Sequence, residues 1–508
     1  LFTASPRAKS TPSISVVAHL GYRICITIWH RVGVQTWDGR RHVVVIGGGI
    51  AGLAAAYYLR HSPGSGPHVT ILESAPVVGG KLRLGEVGGV GIDVGAEALL
   101  ARRPEALDLI EAVGLGHEVV HPDTTSAALW SRGELHPIPA DQIMGVPTGV
   151  PAVGGSRLLS RAATARLPLD HVRPKTRFDE DVAVGSYVAS RLGREVVDRL
   201  VEPLLGGVYA GRADALSFTA TMPDLAAAAR RHRSLMDAAQ EVRAAAAHDT
   251  GPAFAGLPGG IARLAPAVAA AAGAQVRTGV TVRELRRTPA GWSMIAGPTR
   301  EPEEIAADAV VVAVPARPAA RLLEAELPVA AAELAAIDYA SVALVTLAYP
   351  GAAFDGVRRG SGFLVPPIEN RIAKGVTISS AKWRWVAAAE PGAMIVRVSI
   401  GRYGEQQDLQ RDDAELTSLA AAELADLAGV RGAPIDAIVT RWGGALPQYA
   451  VGHRDRVRRI REAAAAAPAL AVCGAAYDGV GVAACIATAR LAAESILVDL
   501  AKPPAIAS

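Results

Sequence analysis

Residues 42–60 read HVVVIGGGIAGLAAAYYLR. Val43, Val44, Val45 and Ile46 form a β-branched run with no polar alternation, the pattern of a parallel strand covered on both faces. Gly47, Gly49 and Gly52 then supply GxGxxG at a strand-to-helix junction. The first glycine permits the tight turn, the second lets backbone approach a pyrophosphate, and the third packs helix on sheet. Helical spacing follows in Leu53, Ala56, Tyr57 and Arg60, so the helix N-terminus faces the phosphates. A second apolar run, His68 to Leu72, ends at Glu73, where a carboxylate accepts hydrogen bonds from ribose hydroxyls. These residues predict a β-α-β unit built around a dinucleotide.

The pattern Gly479 to Ala484 (GVGVAA) lacks the third glycine, so the chain carries one fingerprint. A reductase with a separate NAD(P)H domain ordinarily carries two. A single one points to a flavin oxidase or dehydrogenase in which FAD performs the hydride chemistry and the acceptor is O2 or a small diffusing molecule.

Further out, Pro104 to Val113 reads as a helix stopped by Gly114, and residues 156–250 are mostly helical. Val184, Val188, Val196, Leu200 and Leu204 keep a four-residue beat, which predicts one long amphipathic helix. Strand-like runs return at 275–282, 309–314, 342–348, 375–379, 395–400 and 470–473. This order predicts an α/β fold with a discontinuous Rossmann-like FAD domain (42–115, 251–315 and 436–508). Inserted in it are a helical lobe (116–215) and a mixed-sheet substrate domain (216–250 and 316–435).

The chain has 508 residues, with 52 Lys and Arg against 49 Asp and Glu, and a net charge of +3 offers no field for nucleic acid. Half of the residues are apolar, but no uninterrupted apolar run reaches the ~18 residues of a spanning helix; the longest suspect, Ser13 to Trp29, is broken by His19 and Arg23. Cys25, Cys473 and Cys485 show no CxxC spacing, which argues against a disulfide framework and fits a reducing, cytoplasmic compartment. Residues 1–41 carry six basic residues against Asp38 alone, and the first Met is Met144. That stretch predicts a dispensable basic extension, disordered or translated from a misplaced start.

Two motifs need weighing. His117 to His121 matches HExxH, but zinc chemistry needs both histidines on one helical face. Here Val119 and Val120 favour a strand and Pro122 follows, so no metal is expected. The basic run Arg230 to Arg233 reads as a solvated helix face. LLGGVYAG (204–211) reads as backbone packed close to a ligand or to another backbone.

Together these motifs resemble the flavin-dependent protoporphyrinogen and coproporphyrinogen oxidases, in their bacterial, Gram-positive-type branch. The pieces that carry the resemblance are VVVIGGGIAGLAAAYYL (43–59), GGK (79–81), DVGAEALL (93–100), RLVEPLLGGVYAGRADALS (199–217), FAGLPGG (254–260), SSAKW (379–383), RWGGALPQY (441–449) and CGAAYDGVGVAAC (473–485). The resemblance implies the flavin amine oxidase (p-hydroxybenzoate hydroxylase-like) fold, with a helical lobe that docks on membranes. It implies non-covalent FAD held by Gly47, Gly49, Gly52, Glu73, Ser74, Lys81, Gly95, Ala96, Glu97, Val282, Trp442, Val480, Gly481 and Val482.

It also implies oxidation of a porphyrinogen by O2 in haem biosynthesis, with six electrons leaving in three flavin cycles, three H2O2 formed and no catalytic acid–base pair. The product would pass to a ferrochelatase. The substrate contacts expected are Gly207 and Leu364, together with Arg102, Arg103, Lys382 and Trp383. Trp383 is expected to stack on a pyrrole while Lys382 pairs with a propionate. Ser126 and Ala127 stand where plant and mitochondrial relatives carry an anchoring Arg, and Ala483 stands where Pro is commoner. Coproporphyrinogen III is the expected substrate. Protoporphyrinogen remains open, as do a flavin amine oxidase or carotenoid desaturase and a non-catalytic flavin or porphyrin carrier.

Overall fold

The unbroken β-branched run at 43–46 predicts a strand covered on both faces, and that is its place in the computed structural model, which describes residues 39–502 apart from 63, 65, 248–250, 358 and 359. His42–Ile46 is buried along its whole length between parallel neighbours His68–Leu72 and Ala309–Val312. Gln275–Arg277 and Leu470–Val472 extend the two edges to give five parallel strands from widely separated parts of the chain. One face is covered by the helices Ile50–Arg60, Leu264–Ala272 and Val482–Ala501. The other is covered by the antiparallel strands Val282–Thr288, Gly291–Ala296 and Glu303–Ala307 and by the helices Ala316–Leu323 and His453–Ala465. The ordered sheet begins slightly before the expected boundary: the Arg41 guanidinium pairs with Asp308 at 2.8 Å, and its carbonyl accepts from His68 N. Residues 1–38, with the expected basic extension and Cys25, lie outside the described residues.

The second layer is a mixed sheet of seven strands in the order Asp436–Pro447, Tyr339–Pro350, Ala393–Ile400, Ala373–Ile378, Gly362–Leu364, Ala127–Ser131 and Glu134–Pro137. Only the Gly362–Leu364 to Ala127–Ser131 pairing is parallel. The helix Asp413–Ala428 covers one face with Leu416, Ala420 and Leu424 against Val345, Val396 and Val398. Its N-terminus is capped by Asp412, which accepts from Glu415 N, and it stops at Gly429 in the left-handed conformation (φ +73°). Two expected domain boundaries therefore move. The hairpin at 127–137 belongs to this sheet and not to the helical lobe, and 436–447 belongs here and not to the FAD domain. Which edge a strand joins depends on partners distant in sequence, which its own pattern does not carry.

The third layer is helical and shares one apolar core, with Tyr187, Val188, Leu200 and Leu205 against Leu225, Met236 and Ala239. Residues 218–246, expected in the substrate domain, pack in this lobe. The long helix expected over 184–204 is broken. Val184–Leu192 ends at Gly193 (φ +101°), and the chain resumes as Arg194–Val196, a π-helical turn Val197–Val201 and the helix Glu202–Tyr209. The four-residue beat survives because each piece is helical; the glycine between them lets the axis change direction. Arg191, 1% exposed, locks this corner through Asp170 Oδ1 (2.6 Å) and the carbonyls of Pro174 (2.6 Å) and Arg233 (2.8 Å).

Candidate active site

The glycine turn shows a division of labour among its residues. Gly47 sits at φ +109°, and a Cβ there would stand 2.7 Å from Ala313 O. A Cβ at Gly52 would collide with the Gly47 carbonyl, so this glycine is demanded by packing within the protein. Gly49 differs: its backbone is extended (φ −70°, ψ 172°), and a Cβ would meet nothing within 4 Å. The space in front of it is open at the N-terminus of the helix Ile50–Arg60, which has no side-chain cap. Gly481 repeats this arrangement at the head of the helix Val482–Ala501, again uncapped and again with nothing within 4 Å of a Cβ. The two helices pack side by side in one core, so the structure brings two open, positively polarised helix ends together.

The other expected cofactor residues gather around this turn. Glu73 accepts from Gly48 N at 2.6 Å and from Ala75 N at 2.7 Å, and Ser74 Oγ donates to it at 3.3 Å. Glu73's carbonyl accepts from Val280 N, which sets Val282 at the start of the next strand. The GGK segment lies across the turn: Gly79 N donates to Gly48 O, and Gly80's Cβ position is 3.3 Å from Gly49 Cα. Lys81 follows, with its pKa pushed down by burial, and no carboxylate pairs with it among the described residues. Its carbonyl accepts from Ala96 N and leaves no room for a side chain at Gly95. Trp442 Nε1 donates to Val94 O at 2.9 Å, and its ring edge is 3.2 Å from the Gly95 Cβ position. Val480, ahead of Gly481, packs against the helical lobe. An unpaired lysine, open glycines and two bare helix ends suit a dinucleotide with an anionic pyrophosphate.

Glu97 has a different place from the one expected. It is 9% exposed, and its carboxylate accepts from Arg397 Nη1 (2.6 Å), Trp383 Nε1 (2.6 Å) and Ser379 Oγ (3.3 Å), with Lys382 Nζ at 3.9 Å. Burial raises its pKa, but the Lys382 and Arg397 cations and the indole N–H outweigh burial and hold the carboxyl below the ordinary range. Arg397 also donates to Gly95 O at 2.6 Å, so the group fastens the seven-stranded sheet to the dinucleotide domain. This corrects the reading of Trp383 and Lys382. Trp383 is 2% exposed, its N–H is taken, and a Cβ at Gly256 would stand 2.9 Å from its ring, so it has no free face for a substrate. Lys382 already faces Glu97 and the rings of Trp383 and Phe254. The sequence shows a lysine beside a tryptophan, but the anion that satisfies both comes from a distant segment.

Arg102 and Arg103 lie on an exposed turn ahead of the helix Pro104–Ala112, where Arg103 pairs with Glu105 at 3.3 Å. Gly207 and Leu364 do meet: a Cβ on Gly207 would touch the Leu364 methyls at 3.5 and 3.7 Å. The HExxH stretch forms a 3-10 turn, Gly116–Glu118, in which Glu118 is held by Arg263 at 2.6 Å. Asp93, not singled out in the sequence, caps 261–263 by accepting from Ile261 N and Ala262 N (2.8 and 3.0 Å). Its neighbour Gly260 would clash with it at 2.9 Å if it carried a Cβ, so the DVG and LPGG motifs are two halves of one joint.

Comparison with known proteins bears on this geometry. Residues 50–497 match the flavin-containing amine oxidoreductase family. The chain belongs to that family. It is 37% identical to a coproporphyrinogen III oxidase of Mycobacterium leprae over 91% of this chain and 99% of the relative. It is 31% identical to the protoporphyrinogen oxidase of Bos taurus, over 90% and 98% respectively. A solved structure from Exiguobacterium sp. 255-15 superposes with a TM-score of 0.79 at 30% identity, covering 91% of this chain and 99% of that one. This member of the flavin oxidoreductases is an FAD enzyme with the fold expected from its sequence. Among the described residues no helix is long and apolar enough to cross a membrane.

Proposed function

We propose that the chain oxidises coproporphyrinogen III to coproporphyrin III, with O2 as acceptor. The open approach at Gly49 and Gly481, beside an unpaired Lys81, carries the cofactor half of this reading. The similarity over nearly the whole length of a relative bearing that name supports the substrate half. Bound FAD supplies the two-electron acceptor, and six electrons from one porphyrinogen reduce three O2 to three H2O2. Gly47, Gly49, Gly52 and Lys81 hold its pyrophosphate, Glu73 with Ser74 the ribose, Val282 the adenine end, and Gly95, Ala96, Trp442, Val480, Gly481 and Val482 the ring end. Glu97 acts one step away, by fixing Gly95 through Arg397. The residues' remaining task is to orient a flat macrocycle and exclude water, which needs no acid–base pair. Protoporphyrinogen is the second reading, supported by the bovine relative. We place the enzyme in the cytoplasm, touching the membrane peripherally and passing product to a ferrochelatase.

The test is anaerobically prepared coproporphyrinogen III and protoporphyrinogen IX mixed separately with FAD-loaded protein in air. Porphyrin fluorescence should grow faster than in the protein-free control, with the higher kcat/KM on coproporphyrinogen. Rates equal to the control on both porphyrinogens would leave only a flavin or porphyrin carrier.

A further inference from the structure

The seven-stranded sheet has an apolar face under the helix Asp413–Ala428 and an opposite face turned toward the dinucleotide domain, from which Arg397 reaches Glu97. On that opposite face the cross-strand neighbours Thr346, Arg397 and Thr377 form a polar row. Thr346 Oγ1 and Arg397 Nε are both buried and without a hydrogen-bond partner. One row further along, Leu364 stands between Gly207 on the helix Glu202–Tyr209 and Gly375 on the strand Ala373–Ile378, 3.0 Å from the Gly375 Cβ position. Gly207 and Val208 are exposed. The two glycines and Leu364 make an apolar groove between helix and sheet that side chains would otherwise fill.

The strand carries a β-bulge beside this groove. Ala373 pairs with Ile400 and Gly375 with Ser399, which leaves Lys374 as the extra residue. Bulges re-aim a side chain. Ala373 and Val376 both lie in the apolar core under Asp413–Ala428, while Gly375 faces Leu364, so the bulge gives Lys374 the groove side with Gly375. Lys374 is 6% exposed, and among the described residues no carboxylate pairs with it. The charge it feels most is another cation, Arg402, itself satisfied by the carbonyls of Val365, Arg371 and Ala373. Burial and Arg402 push its pKa down to about 8. A buried ammonium with no counter-ion is costly, and an anion from outside the chain relieves that cost.

We propose that Lys374 is the anchor for a propionate carboxylate of the tetrapyrrole, whose ring lies in the groove lined by Gly207, Leu364 and Gly375. The assignment rests on the porphyrinogen reading and makes Lys374 a residue that favours the substrate with four propionates over the one with two.

The experiment uses FAD-loaded wild type, Lys374→Met, Lys374→Gln and Lys374→Arg. It measures KM and kcat on coproporphyrinogen III and the binding of coproporphyrin III and its tetramethyl ester by flavin absorbance titration. The Met and Gln variants should keep their flavin and raise KM and the coproporphyrin Kd about ten- to hundredfold, the worth of a charge-assisted hydrogen bond. Their affinity for the uncharged ester should hold, and the Arg variant should recover most of the loss. Unchanged Kd in the neutral variants overturns the assignment, as does an equal loss of acid and ester. Loss of flavin in both neutral variants does so too, because it makes the lysine structural. A wild type that neither oxidises the porphyrinogen nor binds coproporphyrin defeats the functional reading itself, whereas an active wild type with unaffected variants defeats Lys374 alone.

Discussion

At the scale of the residue, the glycines of one motif separate into those the protein needs for itself and those it keeps clear for a ligand. Gly52→Ala should drive a methyl into the Gly47 carbonyl and cost at least ~2 kcal/mol, read as a lower midpoint in chemical denaturation. Gly49→Val should fold with an unchanged circular dichroism spectrum, because its backbone is extended and its side is open, yet emerge colourless. A fully yellow Gly49→Val protein refutes the placement of the pyrophosphate. This part of the site was legible because strand, turn and helix follow one another within 42–60, where each residue's role depends on near neighbours. SSAKW was misread for the opposite reason. The roles of Lys382 and Trp383 depend on Glu97 and on the ring's burial under Gly256, and no local pattern announces either. Lys374 went unnoticed because its significance lies in lacking a partner, which only three-dimensional packing shows.

Among the elements, the helical lobe hangs on a single buried cation. Arg191 meets Asp170, whose other oxygen accepts from Ser234 Oγ (2.7 Å) and Met236 N (3.0 Å), so three chain segments converge on one ion pair. Arg191→Met leaves that carboxylate buried without its cation and should destabilise the lobe by about 3–5 kcal/mol. The expected signs are a lower unfolding midpoint and faster proteolysis around residues 160–180. A midpoint and cleavage rate equal to wild type would show that the pair is dispensable. Apolar runs located most of the strands here, and alanine-rich stretches most of the helices. What periodicity missed were the breaks and the partnerships: Gly193 looked like one more residue on a continuing stripe, and Asp436–Pro447 looked like the start of the last nucleotide-binding segment.

For the molecule as a whole, buried titratable groups set the response to acid. Burial pushes the His453 pKa down to about 4; its ring stacks on Tyr449 at 3.8 Å, its Nε2 bonds Tyr477 O, and Arg456, Asp478 and Asp181 are the charges around it. The unfolded chain takes up this proton near 6.5 and the folded protein only near 4, so stability is lost as pH falls through that window, by up to roughly 3 kcal/mol. His42, also lowered by burial, adds loss in the same direction. Asp93 opposes them: burial raises it to about 6, so its protonation on acidification removes a folded-state cost. His453→Gln should therefore show a shallower fall in Tm between pH 6.5 and 4 than wild type, and parallel profiles would count against the neutral buried imidazole. The discontinuous central sheet has a further consequence, for synthesis. Its last strand, Leu470–Val472, and the helix Val482–Ala501 that packs on Ile50–Arg60 leave the ribosome after nearly everything else. Until then the glycine turn at 47–52 lacks its second wall, and one edge of a parallel sheet stands open. Flavin capture is thus a post-translational event, and a nascent chain stalled short of residue 470 is an aggregation hazard rather than a partial enzyme.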